Sequence, residues 1–161
     1  SFRCWMQARS RINVDVKYSV DLLPLMGEPR TEPFFKLVDC IRVPVPSLEE
    51  GLVFYRDKLG HMLLWRTGGA AGLRLPGSEA EIVIHTESRG FEVDFLVDSV
   101  DSAVERWREE GGEVATGPFD ILIGRCAVLR DPWGNELVIL DTSKGRLSTD
   151  EEGNVRGVAS D

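Results

Sequence analysis

The stretch from about Leu37 to Thr142 carries one module twice, and that duplication constrains the fold more than any other feature of the chain. At a shift of 52 positions, Ser47-Leu48-Glu49 falls on Ser99-Val100-Asp101, Leu52 on Val104, Tyr55 on Trp107, Arg56 on Arg108 and Gly60 on Gly112. At a shift of 55, Glu81-Ile82-Val83-Ile84 falls on Glu136-Leu137-Val138-Ile139. Two copies of a small α+β unit pack across a pseudo-twofold axis, and the cleft between them is a natural ligand site.

Within each copy the order of elements is legible. Leu37–Val45 opens the first module as a strand, with Ile41, Val43 and Val45 on one face and Cys40 and Arg42 on the other. Pro44 and Pro46 keep that end out of a sheet interior, since proline donates no ladder bond. Ser47 and Glu50 have capping-box spacing for a helix whose apolar face is Leu48, Leu52, Tyr55 and Leu59, with Gly60 as its left-handed stop. Strands are expected at His61–Arg66, Gly72–Leu75 and Glu81–Thr86. The second copy repeats the order: a strand at Phe91–Val97, a Ser99-capped helix to Glu110, and strands near Glu113–Thr116, Arg125–Arg130 and Glu136–Asp141. Asp131-Pro132-Trp133-Gly134-Asn135 supplies a tight turn before the last of these. The fold class is therefore α+β: two tandem βαβββ modules, 37–87 and 91–142, form a cupped mixed sheet with helices on the outer face. The helix-facing side should be apolar and the cup side free to be polar.

The flanks read differently. In residues 1–36, Ile12, Val14, Val16, Tyr18 and Val20 alternate with polar residues, which fits an extra edge strand or an arm, with a disordered leader as the alternative. Residues 143–161 are polar and glycine-dotted, and a loose tail is expected there.

Charge and cysteine usage exclude some classes. The net charge is -8, and residues 37–142 alone hold 19 Asp and Glu against 10 Lys and Arg, so a phosphate-backbone partner is not expected. No apolar run approaches the roughly 20 residues of a membrane span. Ser1–Ser10 lacks the apolar stretch of a secretory signal. Cys4, Cys40 and Cys126 are odd in number and form no CxxC pair, which suits reduced thiols and a cytoplasmic location.

The helix Ser47–Gly60, ending Phe54-Tyr55-Arg56-Asp57-Lys58-Leu59-Gly60, and the turn Arg130-Asp131-Pro132-Trp133-Gly134-Asn135-Glu136-Leu137 resemble the vicinal oxygen chelate superfamily. That group includes glyoxalase I, bleomycin-resistance proteins, fosfomycin-resistance enzymes and extradiol dioxygenases. The resemblance implies the paired-module fold over about 37–142, a small-molecule ligand and pairing as homodimers. It also implies metal ligands, typically His, Gln or Glu, on the first and last strand of each module. Carried over by position, those places hold Cys40, Val83, Glu92 and Val138. Valine has no donor atom, and a thiolate with one carboxylate suits neither zinc nor an oxygen-ligand ion. No metal or other cofactor is therefore expected. A relocated site drawing on Cys40, His85 and Glu92 is the alternative.

The remaining candidates line the expected cup. Cys40, Arg42, Glu92 and Asp94 share the polar face of the two opening strands, and one acid too many for Arg42 would favour cationic or amine-bearing guests. Arg42 with Asp94 or Glu92 is also readable as a structural ion pair at the seam. Trp65, Phe119 and Trp133 are candidate aromatic walls, although Trp133 is also readable as a turn residue shielding a sheet edge. His85 is a candidate ligand contact or a strand histidine satisfied locally. Trp107 matches Tyr55 on the core face and stays out of the site.

Three functions are compatible with these residues. The first is a metal-independent binding protein of the glyoxalase/bleomycin-resistance type for a cationic or amine-bearing molecule. The second is an enzyme of the same superfamily, a lyase, isomerase or dioxygenase, with a relocated metal or with Glu92 as acid/base catalyst. The third is an interaction module using the strand-like segment at 12–20.

Overall fold

The computed structural model describes residues 31–160, so the strand or arm expected at 12–20 lies outside the described residues. From Pro33 onward the chain forms one unit. Its strands are β1 (Leu37–Pro44), β2 (Leu63–Arg66), β3 (Ala70–Arg74), β4 (Glu81–His85), β5 (Glu92–Leu96), β6 (Glu113–Asp120), β7 (Arg125–Arg130) and β8 (Glu136–Leu140). They make one sheet in the order β2-β3-β4-β1-β5-β8-β7-β6. Each module arranges its strands alike: the opening strand runs parallel to the module's last (β1 with β4, β5 with β8), and the others alternate antiparallel outward. The two modules join where β1 pairs antiparallel with β5. The duplication in sequence is a duplication in space.

Helix starts coincide with the caps. Ser47 accepts from the Glu50 N–H at 3.2 Å and its hydroxyl donates to the Glu50 carboxylate at 3.0 Å, opening α1 (Leu48–Leu52). Ser99 accepts from the Ser102 N–H at 3.4 Å and opens α2 (Val100–Glu109). Gly60 and Gly111 take positive φ of 78° and 86° where these helical segments stop. One expectation fails inside the first helix. After Leu52 the chain widens into a π-helical segment, Val53–Lys58, and the Leu59 N–H donates five residues back to Phe54. A residue added to the turn rotates the downstream side chains by about 100°. Leu59, expected on the apolar face, is consequently exposed, as are Val53 and Phe54.

The sheet separates two apolar layers. Toward the helices, Leu48 and Leu52 pack with Ala71, Leu73 and Ile84, while Val100, Ala103 and Val104 pack with Ala127, Leu129 and Ile139. Trp107 packs with Phe34 and Phe35 against the cluster under α2, and its indole donates to the Glu113 and Arg130 carbonyls at 3.1 and 3.2 Å. Asp141 ties helix to sheet: the buried carboxylate accepts from the N–H groups of Val100 at 2.8 Å and Arg125 at 3.0 Å, and from the Ser143 hydroxyl at 2.7 Å.

The loose tail expected over 143–161 is instead a hairpin, β9 (Arg146–Thr149) with β10 (Val155–Ala159). Its turn is closed by Asp150, whose carboxylate accepts from the Glu152 and Asn154 N–H groups at 3.1 and 2.8 Å. No helix among the described residues is long and apolar enough to cross a membrane.

Candidate functional site: the cup between the modules

The face of the sheet away from the helices lines a cavity of about 980 Å³. Alternation along each strand decides what reaches it. From β1 come Cys40 and Arg42, from β4 Glu81 and Val83, and from β5 Asp94 and Leu96. Leu37 and Asp39 join them because the β1–β5 register slips between Val38 and Cys40, a bulge that brings neighbouring residues to the same side. Trp65 forms a wall from β2, and its indole donates to the Glu81 carboxylate at 2.7 Å.

The polarity of the cup is uneven. Carboxyl groups from β1, β4 and β5 stand on its floor, whereas Leu96, Ile121, Ile123 and Leu140 make the second module's share. Cys126, Val128, Val138 and Leu140 form a buried apolar cluster on this side of the sheet. The expected polar face is met at Asp39, Arg42, Glu81 and Asp94, while Cys40, Ala70, Val83 and Trp65 form an apolar cluster in the first module's share.

Antiparallel register sets Cys40 opposite Asp94 and Arg42 opposite Glu92. The Cys40 thiol donates to Asp94 Oδ2 at 3.5 Å. Arg42 turns to other acids: its Nη2 lies 2.9 Å from Glu87 and its Nε 3.6 Å from Glu92, which Arg89 also holds at 2.9 Å. Asp94 is left 5% exposed, with its Oδ1 buried and without a protein partner. Burial, helped by the neighbouring Glu92 charge, pushes its carboxyl up to about 7 against the opposing pull of Arg42. Burial also raises Asp39 and, despite the hydrogen bond from Trp65, Glu81. The Cys40 thiol is driven well above the thiol range by burial and by the Asp94 and Asp39 carboxylates. Cys126 is pushed up to about 11, mainly by burial. Both cysteines are buried and free.

The structure brings Cys40, Arg42, Asp94 and Trp65 to the cup and sends the other candidates elsewhere. Glu92 faces a second, smaller hollow of about 330 Å³ with Arg89 and Val138. His85 is fully buried beside Pro44 and Ala70, outside the cup lining, and neither ring nitrogen has a protein partner. Phe119 lies on β6 opposite Cys126, and Trp133 stands 84% exposed in the β7–β8 turn. Asp39 and Glu81 are cup residues that the sequence pattern did not single out. Glu81 carried a signal, being two residues before Val83 on the same face, but the bulge that turns Asp39 inward has none.

The donor set expected of a chelate does not fit an ion here. Val83 and Val138 offer no donor atom, which leaves a thiol and one carboxylate, Cys40 and Glu92, of the four positions. The relocated set also fails to converge: Cys40 is level with Glu81 on β4 whereas His85 is level with Pro44, four residues along, or roughly 13 Å at the usual strand rise. Among the described residues, no group of three or more His, Cys, Asp or Glu is placed to hold a metal ion.

Paired βαβββ modules around a shared cup define the architectural class of the chain. The family model described as Glyoxalase/Bleomycin resistance protein/Dioxygenase superfamily matches residues 37–139, and the chain belongs to that superfamily. Solved structures agree on the fold. The methylmalonyl-CoA epimerase from Mycobacterium tuberculosis is 18% identical with a TM-score of 0.60, covering 72% of this chain and 94% of that one. A methylmalonyl-CoA epimerase from Streptomyces coelicolor in complex with 2-nitronate-propionyl-CoA is 16% identical with a TM-score of 0.57, covering 68% and 99%. The NAD-dependent benzaldehyde dehydrogenase from Legionella pneumophila is 18% identical with a TM-score of 0.54, covering 65% and 98%. A comparison with curated protein sequences returns no match.

Proposed function

We propose that the cup binds a cationic or amine-bearing organic molecule without a metal. The observation that carries this reading is Asp94 Oδ1, a buried carboxylate oxygen without a protein partner in the wall of a ligand-sized cavity. A buried polar atom left unpaired is costly, and a cationic donor would relieve that cost. Asp39 and Glu81 add to the demand, because burial disfavours their charged forms and a guest cation would favour them. Arg42 is engaged by Glu87 and Glu92, and with Arg74 and Arg146 it makes three lining guanidiniums against the five carboxyls of Asp39, Glu79, Glu81, Glu87 and Asp94, so the cup keeps an acidic excess. Trp65 offers an aromatic surface against which a cation can rest. Cytoplasmic residence, supported by the two buried free thiols, and homodimer pairing, supported by the family, belong to the same proposal.

Benzyltrimethylammonium tests it, since its charge is fixed and only the protein titrates. Its affinity, read by tryptophan fluorescence, is expected to rise several-fold as pH passes upward through about 7. Phenylacetate should not bind. Equal affinity for both probes, or none for either, overturns the reading.

A second reading has its own support. A carboxyl near 7 is suited to proton transfer at neutral pH, and the similar epimerase structures make an acyl-CoA a reasonable substrate class. In this version Asp94, rather than Glu92, is the base, because Glu92 is paired with Arg42 and Arg89 and lies outside the cup lining. Incubation with methylmalonyl-CoA in D₂O would then introduce deuterium beside the thioester carbonyl, and Asp94→Asn would stop it.

A further inference from the structure

The hairpin β9–β10 lies beyond the residues that define the family, yet it crosses from one module to the other. At its base, the Lys144 N–H donates to the Ile123 carbonyl at 3.0 Å and Lys144 Nζ lies 2.8 Å from Asp120, both in the second module. At its tip, the Arg66 N–H on the first module's edge strand donates to the Gly153 carbonyl at 2.7 Å, and Arg66 bridges to Asn154. The hairpin is therefore strapped at both ends.

Its register sets Val155 opposite Thr149, with Leu147 two residues before Thr149 on the same face. Those three side chains line the cup. They share the lining with Leu96, Ile121, Ile123 and Leu140 of the second module, where Asp94 is the only carboxyl among the lining residues, and Arg146 at the start of β9 adds one cation to it. The cavity thus runs from a carboxylate floor, Asp39, Glu81 and Asp94, to an apolar region walled by the hairpin. A small hydrophilic cation would satisfy the floor and leave that region wet. An apolar body would displace its water, at a gain proportional to the area covered.

We infer that the ligand is amphipathic, a cationic head carrying an extended apolar body, and that Leu147 and Val155 of the C-terminal hairpin set the length of body the cup accepts. This rests on the cation-binding reading and specifies its ligand. The hairpin is a selectivity element added to the shared fold.

A series of straight-chain amines from butylamine to octylamine, all in the ammonium form at about pH 8, tests the inference by calorimetric titration of the full chain. Affinity should rise about fourfold per added methylene, the factor for burying one CH₂, and then stop where the chain meets the hairpin. Leu147→Thr and Val155→Thr together keep strand-compatible side chains and should flatten the rise to less than twofold per methylene. Leu147→Phe should move the stopping point to a shorter amine, so a folding defect in the threonine variant would not decide the matter. Asp94→Asn should weaken every amine by a common factor and leave the slope in place. Slopes and stopping points unchanged in both Leu147 variants would overturn the role of the hairpin while leaving cation binding intact. Binding of benzyltrimethylammonium without any chain-length dependence would do the same. Failure of both probes to bind would remove the cation reading, and this inference with it.

Discussion

Asp94 and Cys40 face each other across the seam between the modules, and the thiol donates to the carboxylate at 3.5 Å. A long bond from a poor donor satisfies a buried carboxylate badly. The pairing acts in opposite directions on the two groups: the carboxylate makes the thiolate harder to form, while the thiol's hydrogen bond lowers the carboxyl, which burial and the Glu92 charge nonetheless raise. The seam thus holds stored electrostatic cost at the floor of the cavity.

That cost gives the free protein a pH dependence with a definite sign. Asp94 has a folded pKa of about 7, above its unfolded value, so the folded state holds the proton more tightly. Its contribution is fully present below about pH 4 and is lost as pH rises through about 7. Asp94→Asn removes the titration. The variant should be more stable than the native protein at about pH 8, by roughly 1–3 kcal/mol, the usual penalty for an unsatisfied buried polar group. The difference should shrink toward zero near pH 4. Urea unfolding midpoints at the two pH values measure it, and a variant equally stable or weaker at high pH would show that Asp94 is satisfied in solution.

Cysteine reactivity gives an independent reading of the same floor. The thiolate is the reactive form, and burial pushes Cys126 up to about 11 and Cys40 higher still. Iodoacetamide at about pH 8 should leave both residues largely unmodified in the native protein, at least tenfold slower than in urea. Peptide mass mapping assigns the sites. Rapid native alkylation of Cys40 would mean that the floor is open to solvent and its thiol less perturbed.

Asp141 makes the opposite contribution. Burial pushes its carboxyl up, but hydrogen bonds from Val100, Ser143 and Arg125 outweigh it and hold the group below the usual carboxylate range. Its stabilisation is present above the unfolded value near 4 and is lost as pH falls through the lower folded value. Asp141→Ala should cost about 2–4 kcal/mol, combining a lost charge-assisted network with the exposed donors at the start of α2. Chemical denaturation at neutral pH tests the size, and an acid titration of the native protein tests the direction.

Much of the architecture was legible in the chain because local signals and the global pattern agree. Ser47, Ser99, Gly60 and Gly111 mark helix ends by their own chemistry, and period-two apolar patterns mark the strands. The hairpin escaped because Leu147, Val155 and Val158 are too few among polar and glycine residues to show alternation, and its stability comes from contacts at Ile123 and Arg66, far away in sequence. The site was half legible for a related reason. Period-two alternation puts Cys40, Arg42, Glu92 and Asp94 on one face, but the bulge at Asp39, the diversion of Arg42 to Glu87 and the place of Glu92 beside a second hollow are decided by packing. Trp133, which composition alone offers as an aromatic wall, is placed by its turn: the Asp131 carboxylate accepts from the Trp133 and Asn135 N–H groups at 2.9 and 2.8 Å and holds the indole in solvent.

Trp65 lies against Gly72, its partner on β3, and no larger residue fits there. A Cβ at position 72 would overlap the indole and approach the Glu81 carboxylate, so one of these groups must move. The backbone of a paired strand gives less readily than a side chain, and the indole is the part that swings. Gly72→Ala should therefore break the Trp65–Glu81 hydrogen bond and push the ring into the cup or out of it. Either movement leaves the Glu81 carboxylate without the donor that lowers it, raising a group that burial has already raised. The variant should remain folded by circular dichroism, show shifted tryptophan emission, and bind benzyltrimethylammonium at least tenfold more weakly. Unchanged emission and affinity would mean that Trp65 is not part of the binding wall, and that the cavity is shaped by β1 and β5 without it.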